Sequence, residues 1–302
     1  RWLTWQVILS GIAVFSVGLL GGWWLSASAI RPIAAMSATA ASISANNLAQ
    51  RVDLAQFDAE FGDLARTMNE MLDRLESSFR QQTQFTSDAS HELRTPLAVL
   101  LSHIELSLSQ ARSGEEYRET LATCQLASQR MRVLVDDLLT LARADAGRLE
   151  LQPRAVDLLQ IARDTTELLA PLAAQHGITL SVEGQSSQSL ADPLRLAQVV
   201  TNLVTNAILY NRRGGEVTLH VAVEKATSVL DVADTGIGIA GHDLPHLFDR
   251  FYRVDRARSR DSGGSGLGLA ISRSIITALG GTLTVTSELG VGSTFTIRLP
   301  KA

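Results

Sequence analysis

The chain has 302 residues, a formal net charge of −4 and 45% hydrophobic residues, which suits a folded protein of two or three domains. This mildly acidic balance gives no reason to expect nucleic-acid binding. The single cysteine, Cys124, excludes a disulfide framework or a metal-thiolate site within one chain, and its place on an apolar stripe predicts a core thiol.

The first element is an uncharged segment over residues 2–30. As a helix it would measure about 44 Å, which exceeds the ~30 Å hydrocarbon core of a bilayer. Tryptophans lie near both ends, as is typical of membrane interfaces, and Arg31 closes the segment. We therefore predict a transmembrane helix over residues 1–30, in contact with membrane lipid. Because the chain begins with arginine, we expect the native start upstream, where an extracytoplasmic sensing segment and an earlier membrane helix could precede it.

Two heptad segments follow, joined by a polar connector. The first contains Ile33, Met36, Ala40, Ile43 and Asn47, and the second contains Phe61, Leu64, Met68, Met71 and Leu75. With Pro32 after the membrane segment and Glu60-Phe61-Gly62 opening the second helix, residues 31–83 resemble a HAMP relay domain, a parallel four-helix dimer. Asn46 replaces the family's usual connector glycine and also tolerates positive φ. A plain coiled-coil linker is the alternative.

The next helix carries the segment Ser90-His91-Glu92-Leu93-Arg94-Thr95-Pro96-Leu97. Its apolar residues recur at three- and four-residue steps, which leaves His91 and Thr95 together on the outward face. Pro96 cannot donate to the carbonyl of Glu92, so we expect a loosened helix there. Glu92 could then accept the imidazole Nδ1–H and leave Nε2 nucleophilic.

A second apolar stripe follows a break at residues 112–114 and ends at Gly147. Its members are Tyr117, Leu121, Cys124, Ser128, Met131, Val135, Leu138 and Ala142. The two stripes predict a helical hairpin over residues 84–150. Because one hairpin cannot bury its own seam, we expect two copies to form a four-helix bundle, which implies a homodimer.

After Pro153, short helices and strands alternate among many glycines, which predicts a separate α+β domain over residues 151–302. Four segments carry its chemistry: 202–211, 229–239, 248–253 and 263–269. Asn202 and Asn206 lie one helical turn apart, so their amides could meet a Mg²⁺ ion through its waters. Glycines in the last segment permit a close backbone approach to phosphate beside a helix N-terminus.

These segments resemble, in order and spacing, the N, G1, F and G2 boxes of the ATP-binding fold shared by histidine kinases, gyrase-type topoisomerases and Hsp90-type chaperones. Residues 290–295 resemble the closing G3 element. The resemblance implies that Asn206 holds Mg²⁺, Asp234 accepts from the adenine amino group, Tyr210 packs on the base and Arg253 approaches the phosphates. The other residues that it implies at the nucleotide are Asn202, Gly236, Gly238, Gly264, Ser265, Gly266, Leu267 and Gly268.

The segment around His91 closely resembles an H-box. With this segment and the ATP-binding boxes, the chain resembles membrane-bound sensor histidine kinases. The expected fold is multidomain: a transmembrane helix, an all-α HAMP and four-helix-bundle region, and an α+β two-layer ATP-binding sandwich. The resemblance implies ATP-dependent autophosphorylation of His91, transfer to an aspartate of a response regulator, and phosphatase activity in which Thr95 orients a water. The catalytic domains would lie on the cytoplasmic side of the inner (plasma) membrane.

Two other functional classes share parts of this pattern. A chaperone- or topoisomerase-type ATPase has the same pocket without an H-box, and a degenerate kinase could act as a dimeric scaffold. Gly236-Ile237-Gly238-Ile239-Ala240-Gly241 also matches a dinucleotide fingerprint, but the carboxylate of Asp234 would repel a pyrophosphate. His242 and His246 lack a third metal ligand, which favours a solvated face over a metal site.

One departure from the family pattern concerns charge. Leu209 occupies a position where histidine kinases usually carry a lysine or arginine that helps neutralise the nucleotide phosphates. We expect Arg212 or Arg213 to compensate in part, with a solvated surface pair as the alternative.

Overall fold

The computed structural model describes residues 2–42, 47–53, 59–254 and 265–302, in two compact units, Arg1–Ser87 and Asp88–Ala302. Helix α1 spans Trp2–Ser42 and helix α2 spans Ala59–Ser109. Within α1, Trp2–Trp24 is long and apolar enough to cross a membrane by length and composition. This agrees with the predicted transmembrane helix.

The polar connector of the first unit contacts α2 through Val52. Its side chain is buried against Ala65, with Phe61 and Met68 packed beside it. The amide of Asn69 donates to the carbonyl of Val52 and accepts from its N–H, both at 2.9 Å. The connector is thus held by an apolar contact and by a paired backbone contact.

The buried face of α2 in this unit differs from the predicted heptad. Ala65 and Leu72 are buried, whereas Leu64 and Met71 are exposed. The residues of α2 that are buried within the chain therefore each follow a predicted heptad residue by one position. The predicted residues Leu64 and Met71 stay exposed within one chain. Ile43, Asn46 and Leu54 lie outside the described residues.

The predicted hairpin is present. Helix α3 spans Gly114–Asp145, and Ser113 caps it in a capping box: its Oγ accepts from the Glu116 N–H at 3.3 Å, and the Glu116 carboxylate accepts from the Ser113 N–H at 2.8 Å. Gly147 follows with a φ of +63°. Helix α2 continues through Pro96 without interruption.

The hairpin seam differs from prediction by one residue on α3. Its buried residues are Thr120, Ala127, Leu134 and Leu141, whereas Leu121 and Val135 are exposed. Across the seam, Ser107 Oγ donates to Thr120 Oγ1 at 3.2 Å. Cys124 is half-buried on this seam, less than a core thiol would be.

The remainder of the second unit is a separate α+β domain. Its elements are β1 Arg154–Asp157, α4 Leu158–His176, β2 Thr179–Gly184, β3 Gln188–Ala191, α5 Pro193–Leu209, β4 Glu216–Glu224, β5 Thr227–Asp234, α6 Gly268–Ala278, β6 Thr282–Glu288 and β7 Gly292–Pro300. Five strands form one sheet in the order β2-β4-β5-β7-β6, and only the β2–β4 pair is parallel. Strands β1 and β3 form a small second pair.

Helices α4, α5 and α6 pack together against the five-stranded sheet. Strand β4 alternates buried Val217, Leu219 and Val221 with the exposed His220, as expected when one sheet face is covered. The predicted two-layer sandwich is confirmed. Strand β5 pairs antiparallel with both neighbours and leads into a loop with one 3₁₀ turn, Leu244–His246, which excludes the dinucleotide fold.

Candidate functional site

A cavity of about 530 Å³ lies among α3, α5, the end of β5 and the segment leading into α6. It collects most of the residues that the sequence places at a nucleotide. Those on its wall are Asn202, Asn206, Tyr210, Asp234, Gly238, Arg253, Ser265, Gly266 and Gly268. Gly236 and Leu267 lie off the wall, and Gly264 lies outside the described residues.

Asp234 is the last residue of β5 and aims its carboxylate into the cavity wall. Its Oδ1 accepts from the Gly236 N–H at 2.8 Å and from the Ser293 N–H at 3.3 Å. Burial raises the pKa of Asp234, and these two hydrogen bonds oppose that rise. Because both bonds use Oδ1, Oδ2 is available to a ligand that offers a hydrogen-bond donor, such as an amino group.

Close packing explains two of the glycines. A Cβ on Gly236 would lie 2.6 Å from the Tyr210 carbonyl oxygen, so Gly236 supports the loop from behind the wall. A Cβ on Gly268 would lie 2.4 Å from Asn202 Oδ1. Only glycine therefore lets the start of α6 approach α5 this closely.

The two asparagines of α5 share a face but have different surroundings. Asn202 donates from Nδ2 to Ser272 Oγ at 3.0 Å, which ties α5 to α6. The side-chain amide of Asn206 makes no hydrogen bond to any residue that the structure describes. An amide oxygen beside nucleotide phosphates suits Mg²⁺, which prefers oxygen ligands and keeps several waters. Within the described ranges, no three His, Cys, Asp or Glu side chains group as a metal site.

Leu267 does not contribute its side chain to the cavity. It is fully buried at the beginning of α6, because an apolar side chain there completes the domain core. Its backbone N–H donates to Ser265 Oγ at 3.3 Å. The implied role of Leu267 at the nucleotide is thus restricted to its backbone.

Helix α3 supplies a second wall that the sequence did not predict. Its contributors are Gln129, Arg130, Val133, Leu134 and Asp137. Asp137 Oδ2 accepts from Ser265 Oγ at 3.5 Å, and burial raises the pKa of Asp137 to about 6. No sequence motif marks these residues.

A second polar contact joins the α+β domain to α3. Arg250 Nη2 lies 2.5 Å from Asp145 Oδ1, near the end of the helix. Helix α6 also packs against α3. The cavity is therefore closed on one side by the hairpin.

The residues predicted around His91 lie on α2. His91 is exposed, and Thr95 Oγ1 donates to its backbone carbonyl at 3.4 Å. The expected hydrogen bond from His91 to Glu92 is not found among the described residues. The helix is uninterrupted here, and adjacent helical residues do not face each other.

Two contacts across the hairpin indicate which part of α3 lies opposite His91. Leu100 lies opposite Cys124, and Ser107 lies opposite Thr120. Continuing this antiparallel register places His91 level with residues 133–136 of α3. Val133 and Leu134 belong to that stretch and line the cavity.

The expected compensation for Leu209 is not found. Arg212 Nη2 donates to the Gly236 carbonyl at 3.1 Å and also to the carbonyl of Gly290. The Arg213 side chain lies beside Gly177. Neither arginine lines the cavity, because Arg212 instead joins the loop after β5 to the turn before β7.

Three family models match the chain in succession. Residues 24–77 match the HAMP domain, residues 81–147 match the His Kinase A (phospho-acceptor) domain, and residues 191–302 match the histidine kinase-, DNA gyrase B- and HSP90-like ATPase.

Several curated proteins are similar along most of the chain. Sensor protein CutS of Streptomyces coelicolor is 32% identical over 97% of this chain and 70% of its own length. Sensor protein IrlS of Burkholderia pseudomallei is 33% identical over 97% of this chain and 61% of its own length. The chain spans about half to two thirds of the curated relatives that it matches.

Solved structures with the same arrangement include the Acinetobacter baumannii histidine kinase AdeS, with a TM-score of 0.57 and 26% identity over 70% of this chain and 98% of that one. Full-length ShkA in complex with AMPPNP has a TM-score of 0.56 and 30% identity over 73% of this chain and 46% of that one.

Proposed function

Since this chain belongs to the family of two-component sensor histidine kinases, we propose that it phosphorylates its own His91 with ATP and passes the phosphoryl group to an aspartate of a response regulator. One observation carries the proposal. The register of the hairpin puts the exposed His91 of α2 opposite α3 residues that line a cavity, in which Asn206, Tyr210, Asp234 and Arg253 also lie on the wall.

The cavity suits ATP at both ends. Asp234 Oδ2 offers an acceptor for the adenine amino group, and Tyr210 lies beside it to pack on the base. Arg253 and the backbone near Gly266 would meet the phosphates. Asn206 would hold Mg²⁺, which supplies charge neutralisation there when it is bound.

The chemical step needs little beyond positioning. A ring nitrogen of His91 attacks the γ-phosphorus, the bond to the β-phosphate oxygen breaks, ADP leaves, and the other ring nitrogen gives up its proton to solvent. The described arrangement places α3 against the cavity, so the α+β domain must shift toward a His91 on α2 before transfer. The segment between α3 and β1 provides the connection about which it would move.

We also propose the domain bounds, a homodimer and a role for Thr95. We keep four parts: 1–30 as a transmembrane helix of the inner membrane, 31–83 as the HAMP relay, 84–150 as the dimerising hairpin and 151–302 as the cytoplasmic ATP-binding domain. Exposed leucines on α2 and α3 support a homodimer. Thr95 lies one turn from His91 and would orient water toward a regulator phosphoaspartate in a phosphatase reaction.

Incubation with γ-labelled ATP tests the proposal against both alternatives. The parent chain should acquire acid-labile, base-stable label, and His91→Gln should abolish it while nucleotide binding stays intact. His103→Gln, on the same helix, serves as the matched control and should keep the label. Label persisting in His91→Gln would refute the acceptor assignment. ATP binding without any label would favour the scaffold or the chaperone-type ATPase.

A further inference from the structure

Among the wall residues that the structure describes, the α+β domain offers little positive charge to a nucleotide. A nucleoside triphosphate carries several negative charges, and two carboxyl groups also line the cavity, Asp234 from the α+β domain and Asp137 from α3. Of the wall residues that the structure describes, the cationic ones are Arg253 and Arg130. Leu209 contributes none. One of the two cations therefore comes from the hairpin.

Arg130 is available for a ligand. Its guanidinium makes no hydrogen bond or ion pair with the residues that the structure describes. The neighbours three and four residues away on α3 are Leu126, Ala127, Val133 and Leu134, so the helix offers it no carboxylate. An arginine with five donors and no partner, on the wall of a cavity, is suited to phosphate.

Two described arginines of the α+β domain, Arg212 and Arg213, make other contacts. Arg212 holds the carbonyls of Gly236 and Gly290, and Arg213 lies beside Gly177. Moving Arg212 into the cavity would leave those two carbonyls without this donor. Arg130 needs no such exchange.

We propose that Arg130 of α3 is a nucleotide-binding residue that contacts the phosphates when the α+β domain is docked on the hairpin. The inference rests on the proposed function, because it assumes that the cavity binds ATP. A nucleotide held by Arg130 would bridge the two domains. Nucleotide binding would then raise the equilibrium constant for docking of the α+β domain on α3, and docking would raise the nucleotide affinity by the same factor.

The test compares variants of this chain in lipid nanodiscs. Affinity is measured for a non-hydrolysable ATP analogue and for adenosine, each by displacement of a fluorescent ADP analogue. Arg130→Gln should bind the ATP analogue about tenfold more weakly, the size expected for a partly exposed charge-assisted hydrogen bond. Adenosine has no phosphates, so its affinity should not change.

Arg132→Gln is the matched control, because Arg132 is exposed on the same helix and lies off the cavity wall. It should bind both ligands like the parent, and Arg130→Lys should recover part of the lost affinity. Equal affinity of the Arg130→Gln and Arg132→Gln variants for the ATP analogue would overturn the inference. Equal losses for adenosine and the ATP analogue would also overturn it, since they would indicate a damaged pocket.

Failure of the proposed function gives a different result. If the parent chain bound no ATP analogue, both the proposed function and this inference would fall. If the parent bound it and Arg130→Gln were unaffected, only the role of Arg130 would fall.

Discussion

The α+β domain and the helices that precede it bury their apolar residues to very different extents. On α5, Leu196 and Leu203 are completely buried within one chain. On the hairpin, Leu108 is 81% exposed and Leu121 is 69% exposed. The α+β domain therefore completes its own core, whereas the hairpin leaves apolar surface that a second copy would cover.

We expect the largest loss of stability from a substitution in the core of the α+β domain. Leu203→Ala should lower the free energy of unfolding of the α+β domain by about 2–5 kcal/mol, because it removes a fully buried side chain and leaves a cavity. Leu194→Ala, on the same helix but 82% exposed, should change it by less than about 0.5 kcal/mol. Denaturant unfolding of the two variants checks the difference. Similar losses in both would contradict the assigned core.

The hairpin should respond through association. Leu121→Glu places a charge on the surface that we assign to the partner copy, so self-association should weaken at least about tenfold. Nucleotide affinity should be retained, because Leu121 lies off the cavity wall. Sedimentation in detergent, with Gln125→Glu as the control for added charge, measures the effect. A Leu121→Glu variant that self-associates as strongly as this control would contradict a dimer interface at Leu121.

The smallest effect concerns the contact between the two regions. Burial holds the pKa of Asp137 near 6, above the ordinary carboxyl value, so the folded chain binds more protons than the unfolded chain between about pH 4 and pH 6. Stability from this group is fully present below that window and is lost as the pH rises through 6. Asp137→Asn should therefore raise the thermal midpoint at pH 7.5 by about 1–2 °C.

The same substitution should have less effect at pH 5, where the parent carboxyl is mostly protonated. Glu119→Gln removes an exposed carboxyl from the same helix, away from Asp137, and serves as the control for a lost charge. A difference between parent and Asp137→Asn that is equal at both pH values would contradict the assigned environment of Asp137.

Local patterns were enough to predict the α+β domain and many of the residues that line its cavity. Asp234, Asn206 and the glycines before α6 lie in short segments whose backbone geometry depends on neighbouring residues. The break before α3, at residues 112–114, was visible for the same reason. Such features need no knowledge of distant contacts.

Features that depend on long-range packing could not be predicted. The α3 wall exists only because the α+β domain docks on the hairpin, so nothing near Arg130 or Asp137 in sequence marks them. The predicted stripe on α3 passed through Leu121 and Val135, whereas the seam uses Thr120 and Leu134. The apolar stripe of α3 is broad enough to contact both α2 and a second copy of the chain. The sequence pattern alone does not show which side of the stripe contacts which of them.

The most direct test of the account is to locate the phosphoryl group. After incubation of the full chain with ATP and Mg²⁺, peptide mass spectrometry under neutral or basic conditions should find phosphate on His91. Asp234→Asn removes the carboxylate that we assign to the adenine amino group, so it should reduce the yield. Phosphate on another residue, or none on His91 in a chain that binds ATP, would contradict the central claim.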